Sequence, residues 1–160
     1  KMAMTIISTI RGIPQIYYGT EIAIASTGDH GELRRDFPGG WPGDEVNAFT
    51  GNGLNEKEFD AQNFLKRLLN WRKHNLAVSM GDLVHYPVED GIYVYFRRYE
   101  KEMVMVIINN NDRPKTIYPD HFNETIKGRT KGVNIMNDRV YYLSRNLDIP
   151  GKTAIVFEIH

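Results

Sequence analysis

A chain of 160 residues is long enough for one ordinary domain, or for a small domain and part of another. Its 20 basic and 20 acidic residues give zero formal net charge, which argues against general nucleic-acid binding because no basic field attracts phosphates. Cysteine is absent, which excludes disulfides and thiolate metal sites, and no apolar run approaches the roughly 18 residues of a membrane span.

The first predicted element is a helix over residues 1–11. Its apolar residues recur at helical spacing and cover nearly the whole circumference, so we expect the helix to be buried: Met2, Ile6, Ile7 and Ile10. Gly12 and Pro14 end it. The chain begins with Lys1 rather than Met, and we therefore expect it to be a piece of a longer protein.

The next segment, "IPQIYY" at residues 13–18, predicts a strand. It is a short apolar run between two glycines, which is typical of a strand covered on both faces in a parallel sheet. We expect Tyr17 and Tyr18 to pack inside that sheet. A helix, a tight turn and a buried strand form the unit of an α/β repeat. If the strand belongs to a parallel barrel, the loop after it faces the active site.

Residues 22–55 are rich in Gly and predict a long loop, of the kind that is usually functional or disordered. Aromatic residues within it, Phe37, Trp41 and Phe49, argue against disorder. A helix follows over Asn55–His74, where Asn55 and Glu58 have the spacing of a capping box.

From Gly81 onward the hydrophobic period changes to two, which predicts strands. The candidates are "LVHYPV", "GIYVYFRRY", "MVMVIIN", "KTIYP", "VNIMN", "RVYYLS" and "TAIVFEI". Short strands separated by turn signals indicate an antiparallel sandwich. The chain thus belongs to the α+β class, with a predicted boundary between residues 1–78 and 79–160.

Motifs for phosphate binding, a GxSxG nucleophile and His spacing suited to a metal are missing from the sequence. The segment from Tyr17 to Trp41 instead combines aromatic, carboxylate and guanidinium side chains. Aromatic faces stack on sugar rings, and the charged groups bond to sugar hydroxyls. These residue types suit a carbohydrate cleft, and they also suit an ordinary polar loop, which composition alone favours.

Three blocks occur in the same order as in a known family: "RGIPQIYYGTEI", then "RRDFPGGW", then "LKRLLNWRKHNLAVSMGDL". They closely resemble the α-amylase family of glycoside hydrolases, nearest to its neopullulanase and cyclomaltodextrinase branch. The resemblance implies that residues 1–78 are the C-terminal end of a (β/α)8 TIM barrel, comprising a helix, the last strand, a long loop and the last helix. Residues 79–160 would form the Greek-key β-sandwich that follows the barrel.

The resemblance also implies a function, that of a retaining α-glucan hydrolase acting on starch, maltodextrins, cyclodextrins or pullulan. The family's catalytic carboxylates precede Lys1, so we expect no catalytic residue here and no activity of the piece alone. A non-catalytic carbohydrate-binding or protein-interaction module of amylase-like origin is the alternative. The expected partner is an α-glucan oligosaccharide or polysaccharide, and self-association is possible. We expect no metal site or cofactor in this piece, calcium being possible in the parent protein, and favour a periplasmic or extracellular location over a cytoplasmic one.

Candidate substrate-binding residues follow from the same resemblance. Asp29 and Arg34 match an Asp and an Arg of the family's last loop that bond sugars, although they lie five residues apart here instead of four. Arg35 is therefore an alternative to Arg34. Trp41 fits the aromatic residue that ends this segment, either as a stacking platform or as an anchor of the loop. Glu21, on the expected rim, is a candidate for substrate contact, although a structural bond to backbone amides is the expected role.

Overall fold

The structure, a computed structural model, describes residues 1–32 and 34–160 in full and residue 33 only by its place in a helix. The helices are α1 (Met2–Thr9), α2 (His30–Leu33), α3 (Glu56–His74), α4 (Leu76–Ser79) and α5 (Asn123–Ile126), with 3₁₀ turns at Thr20–Ile22 and Pro119–Phe122. The strands are β1 (Asp82–His85), β2 (Ile92–Tyr99), β3 (Glu102–Asn109), β4 (Lys115–Ile117), β5 (Lys131–Asn134), β6 (Val140–Tyr142), β7 (Leu147–Ile149) and β8 (Thr153–Ile159).

The strands form two antiparallel sheets. Six of them make one sheet in the order β1-β2-β3-β8-β5-β6, and β4 pairs with β7 in a second. The antiparallel arrangement predicted from the sequence is confirmed. Strand β8 returns from the second sheet to pair with both β3 and β5, a crossover of the Greek-key kind.

The large sheet is covered on both faces, because its central strands β2, β3 and β8 carry buried side chains at consecutive positions. One face, with Val94 and Phe96, joins the main apolar cluster together with residues of β4, β7 and the segment 119–126. The other face, with Tyr95 and Arg97, lies under helices: α4 lies against β2 and β3, and α1 lies against β8.

Each of the seven segments predicted as strands overlaps one observed strand, β5 by only two residues. Strand β7 was not predicted, because it is only three residues long and alternates around the exposed Asp148, so its pattern is too short to stand out. Its pairing with β4 is what stabilises it.

Helix α1 buries its polar side, which differs from the expectation of a buried apolar helix. Thr5, Ser8 and Thr9 are buried, whereas Ile7 is 37% exposed. A 2.5 Å hydrogen bond joins Thr9 Oγ1 to the Tyr95 hydroxyl. The reason is that the described part of the chain covers α1 only on the side that faces the sheet.

Two guanidinium groups bind the C-terminal carbonyls of α1, which have no partner within the helix. Arg97 donates from Nη1 to Thr9 O at 3.0 Å, and Arg72 donates to Ser8 O at 2.7 Å and to Gly12 O at 3.1 Å. Positive charge at this end of the helix also complements the helix dipole.

Residues 13–17 form neither helix nor strand and Tyr18 begins a turn, so the strand predicted over residues 13–18 is not formed in the described structure. Extended backbone is assigned to a sheet only when a neighbouring strand bonds to it, and none of the described strands lies beside this segment. Ile13 is 96% exposed as a result. The prediction that this segment is the last strand of a barrel becomes part of the proposal below.

Helix α3 begins as the sequence predicts. Asn55 Oδ1 accepts hydrogen bonds from the backbone N–H groups of Lys57 (3.0 Å) and Glu58 (3.1 Å). In return, Glu58 Oε2 accepts a hydrogen bond from Asn55 N at 3.0 Å. This is the reciprocal capping box expected from the spacing. Near the other end of the helix, Trp71 Nε1 donates to Glu158 of β8 at 2.6 Å.

Contacts divide the chain into two compact units, one of residues 1–14 and 68–160 and the other of residues 15–67. The first holds α1, α4, both sheets and the segment 119–126. The second holds the 3₁₀ turn at Thr20–Ile22, α2 and the long loop. This division by contacts does not test the predicted boundary between residues 1–78 and 79–160, which stays a prediction. None of the described helices is long and apolar enough to cross a bilayer.

Candidate functional site

An open pocket of about 350 Å³ lies within the unit of residues 15–67. Its lining comes from residues 17–24, which include the 3₁₀ turn, and from α2 with the residue that follows it: Tyr17, Tyr18, Thr20, Ile24, His30 and Arg34. The two tyrosine rings lie 4.7 Å apart, tilted by 37° to each other. We call this cavity the loop pocket.

A turn at Gly19 brings these residues together. Gly19 has a φ of +84°, which glycine adopts without strain, and its carbonyl accepts a hydrogen bond from Ile24 N at 2.9 Å. A Cβ atom at this position would approach Ile24 Cδ1 to 2.6 Å. The turn therefore requires glycine both for its dihedral angle and for the close approach of Ile24.

Asp29 caps α2. Its Oδ1 accepts hydrogen bonds from Gly31 N at 2.9 Å and Glu32 N at 3.2 Å, the geometry of an N-cap. The cap fixes the position of Arg34, which ends α2 and lines the loop pocket. Asp29 itself is exposed and does not line the pocket.

Tyr18 links the pocket to the next turn of chain. Its hydroxyl donates to the carbonyl of Arg35 at 3.3 Å, while the Arg35 side chain is exposed. Partial desolvation, and then the negative charge on Tyr17 when it ionises, raise the pKa of Tyr18 above its ordinary value. Tyr18 is therefore a neutral hydrogen-bonding group at physiological pH.

The backbone of Trp41 is fixed by a hydrogen bond, whereas the residue as a whole is 63% exposed. Asp44 Oδ2 accepts hydrogen bonds from Gly39 N at 2.7 Å and from Trp41 N at 3.1 Å. The backbone is thus ordered while the indole faces solvent, an arrangement suited to stacking on a planar or sugar ligand.

Of the residues singled out from the sequence, only Arg34 lines the loop pocket. Glu21 lies half-buried in the 3₁₀ turn, and Asp29, Arg35 and Trp41 lie on the exposed surface of the same unit. The pocket also includes Tyr17 and Tyr18, which were expected to pack inside a sheet, and His30, which was not predicted as a site residue. The available signal was Gly19, because a glycine directly after Tyr17 and Tyr18 marks a turn that can turn the two rings towards the next segment.

The loop pocket is suited to non-covalent binding. Its described lining contains two aromatic rings of tyrosine, three hydroxyls, an imidazole and a guanidinium, and it contains no carboxyl group to act as nucleophile or acid. Among the described residues, no group of three or more His, Asp and Glu side chains lies close enough to hold a metal ion. The arrangement fits recognition of a hydroxyl-bearing ligand.

Comparison with known proteins finds similarity both in sequence and in structure. Residues 83–158 match the family described as the cyclo-malto-dextrinase C-terminal domain. The chain is 28% identical over 110 residues to cyclomaltodextrin glucanotransferase of Geobacillus stearothermophilus, and 30% identical over 111 residues to that of Niallia circulans. Each alignment covers 69% of this chain and 13% of the relative, so the chain spans only a small part of the relatives it matches.

Among solved structures, the chain is similar to α-amylase from Geobacillus thermoleovorans in complex with acarbose. The TM-score is 0.74 at 24% identity, covering 99% of this chain and 32% of the amylase, which shows the shared fold. Together these comparisons support the resemblance to the C-terminal region of α-amylase-type enzymes. The neopullulanase branch stays a prediction.

Proposed function

We propose that this chain is the C-terminal portion of a retaining α-glucan hydrolase acting on starch, maltodextrins, cyclodextrins or pullulan. The observation that carries the proposal is the match of residues 83–158 to the cyclo-malto-dextrinase C-terminal domain. Relatives named cyclomaltodextrin glucanotransferase and α-amylase, and a similar fold in an amylase that holds acarbose, support it.

The exposed apolar surface of residues 1–18 supports the same proposal. Ile7 on α1 and Ile13 after it are exposed apolar side chains of one compact unit, and Tyr17 is exposed in the other. Exposed apolar side chains of this size are typical of surfaces that another part of a protein covers. In the proposed parent protein, residues 13–18 are the last strand of a (β/α)8 barrel and bond to neighbouring strands, while the outer face of α1 packs on the barrel.

In this proposal the loop unit contributes part of the wall of the active-site cleft. Arg34 and Asp29 bond sugar hydroxyls, Trp41 stacks on a sugar ring, and Arg35 and Glu21 lie at the margin. The bond-breaking groups come from elsewhere in the parent protein, since retaining hydrolysis needs two carboxyl groups about 5–5.5 Å apart on either side of the scissile bond.

The direct test compares this chain with the product of the complete gene on maltodextrin, β-cyclodextrin and pullulan, measuring the release of reducing ends. We expect cleavage by the complete protein and none by the chain alone. Cleavage by the isolated chain at an ordinary turnover rate, or a complete protein inert on all three substrates, would overturn the proposal.

Variants of the complete protein test the assigned contacts. Arg34→Met should lower kcat/KM for maltodextrin by roughly 10-fold to 150-fold, the equivalent of one hydrogen bond to a charged group, about 1.5–3 kcal/mol. Arg35→Met is the matched control and should change it less than about threefold. Equal losses in both variants would contradict the assignment of Arg34.

Asp29 has a structural role that its test must separate from sugar binding. Asn is as good an N-cap as Asp, so Asp29→Asn preserves α2 while removing the charge, whereas Asp29→Ala loses both. If Asp29 bonds sugar, both variants should raise KM several-fold. A rise in KM for Asp29→Ala alone would assign Asp29 to capping only.

The alternative is a non-catalytic carbohydrate-binding or protein-interaction module of amylase-like origin. The observation that favours carbohydrate binding is that an aromatic-lined pocket forms entirely within residues 15–67. Affinity electrophoresis of this chain in starch gels tests it, and unretarded migration would remove the carbohydrate-binding form of the alternative.

A further inference from the structure

A second cavity, of about 360 Å³, opens within the β region, on the opposite face of the large sheet from α1 and α4. Its walls come from residues 86–94, β4 and the 3₁₀ turn at Pro119–Phe122. We call it the distal pocket. We propose that the distal pocket binds a hexopyranose ring, and that its ligand is an α-glucan end distinct from the one held by the loop pocket.

The floor of the distal pocket is apolar. Val94, Ile117 and Phe122 line it and belong to the main apolar cluster of the β region, where each is at least nine-tenths buried. The volume lies at the lower end of the roughly 300–1,000 Å³ typical of small-molecule sites. A floor of this kind receives the C–H face of a sugar ring rather than its hydroxyls.

Aromatic side chains form the walls and are held in place by their own contacts. Tyr118 is 50% exposed, and its ring centroid lies 5.6 Å from that of His121. Tyr86 packs edge-on against Phe122 at 4.7 Å, and a 2.7 Å hydrogen bond joins its hydroxyl to Thr125 Oγ1. Because these rings are already ordered, binding would cost little side-chain entropy.

The rim of the pocket carries groups that bond to hydroxyls. Glu89 and Asp90 lie beside Lys115, whose Nζ is 4.0 Å from Asp90 Oδ2. Two carboxylates against one ammonium make the rim net negative, which disfavours phosphate and other anionic ligands. Carboxylates that accept and an ammonium that donates, above an apolar aromatic floor, match a neutral ring with polar edges and an apolar face.

The distal pocket lies on the face of the large sheet that points away from α1, so it would stay open if a further domain packed on α1. Val94 faces the pocket, whereas its neighbours Tyr95 and Arg97 face the α1 side, because side chains alternate along β2. A barrel docked on α1 would therefore not cover the distal pocket. A second binding site on the same polypeptide raises the effective concentration of a polysaccharide chain at the first.

The identification of the ligand as an α-glucan rests on the proposed function, whereas the preference for a hexopyranose rests on the pocket alone. The test is titration of the 160-residue chain with maltotriose and, separately, with cellobiose, followed by NMR chemical shifts of backbone amides. We expect maltotriose to bind weakly, in roughly the millimolar range, with shifts centred on residues 86–94 and 115–122.

Matched variants localise the binding. Tyr118→Ala should weaken it at least about tenfold, while Tyr142→Ala, which removes an equally exposed tyrosine from strand β6, should leave it unchanged. Asp90→Asn is the second variant: Asp90 has a φ of +48°, which Asn tolerates well, so the turn is kept while the acceptor charge is lost. It should weaken binding several-fold.

The outcomes separate the two proposals. Absence of binding for both sugars at tens of millimolar overturns the distal pocket, as does binding that survives both Tyr118→Ala and Asp90→Asn. Binding of cellobiose but not maltotriose, lost in Tyr118→Ala, supports a hexopyranose site and overturns the α-glucan assignment. Cleavage of maltodextrin by the complete protein, measured independently, decides the proposed function whichever result the titration gives.

Discussion

Arg97 has two structural roles, because its backbone belongs to strand β2 while its guanidinium caps the C-terminus of α1. It is 1% exposed, and its guanidinium donates to the carbonyls of Thr9, Gly81 and Asp82 at 3.0, 2.7 and 3.4 Å. Burial, followed by the nearby charge of Arg72, lowers the pKa of Arg97. Nothing in "YVYFRRY" distinguishes this arginine from the next.

Replacing Arg97 should therefore destabilise the protein far more than replacing its neighbour. Arg97→Met leaves buried carbonyls without a donor and should lower the free energy of unfolding by about 2 kcal/mol or more. Arg98→Met removes only a surface ion pair with Asp82 and should cost about 0–1 kcal/mol. Urea unfolding of the two variants measures the difference, and equal stabilities would contradict the capping role of Arg97.

Tyr95 gives a prediction about pH. Burial raises its pKa to about 12, while the unfolded chain loses this proton near pH ~10. The folded state thus binds the proton of Tyr95 more tightly than the unfolded state does. The resulting contribution of Tyr95 to the free energy of unfolding is fully present below about pH 10. It declines by about 1.4 kcal/mol per pH unit between about pH 10 and 12. Denaturant unfolding from pH 8 to 11 should show a shallower alkaline decline for Tyr95→Phe, and identical slopes would refute the assignment.

At the scale of elements, local sequence signals predicted those elements whose stability is local. The capping box at Asn55 and Glu58 is one, since all of its partners lie within three residues of one another. Strands β2, β3 and β8 were identified for a similar reason: each is a short apolar run bounded by turn residues, because its side chains are buried on both faces of the sheet. The pocket residues were not predicted as groups, because Arg34 and Tyr17 belong to different elements, as do Tyr118 and Tyr86.

The outer side of α1 and the segment 13–18 carry a prediction about association. Because Ile7 and Ile13 are exposed, the double variant Ile7→Gln/Ile13→Thr should reduce concentration-dependent self-association of this chain in sedimentation velocity. Its free energy of unfolding should change by less than about 0.5 kcal/mol. Val140→Thr, at an exposed apolar position on β6, is the control and should leave association unchanged. An effect of Val140→Thr as large as that of the double variant would argue against an interface at α1.

At the scale of the whole molecule, the sheets and the first residues should differ in local stability. Amides of β3 and β8 lie in central strands bonded on both sides, so they should exchange only through near-global unfolding. No described acceptor bonds the amides of residues 13–18, and these should exchange within seconds. Hydrogen exchange followed by mass spectrometry measures both. Slow amides throughout 13–18 in a demonstrated monomer would contradict this picture.

The sequence by itself determined the α3 cap, seven of the eight strands and the resemblance of three ordered blocks to the α-amylase family, because each of these depends on short-range spacing or on ordered motifs. Tertiary structure alone decided which side of α1 is buried, that residues 13–18 lack a partner strand, and that Arg97 caps a helix. It also decided which side chains share a pocket. These features depend on what lies across from each segment, and a linear pattern carries no information about a neighbour that is distant along the chain.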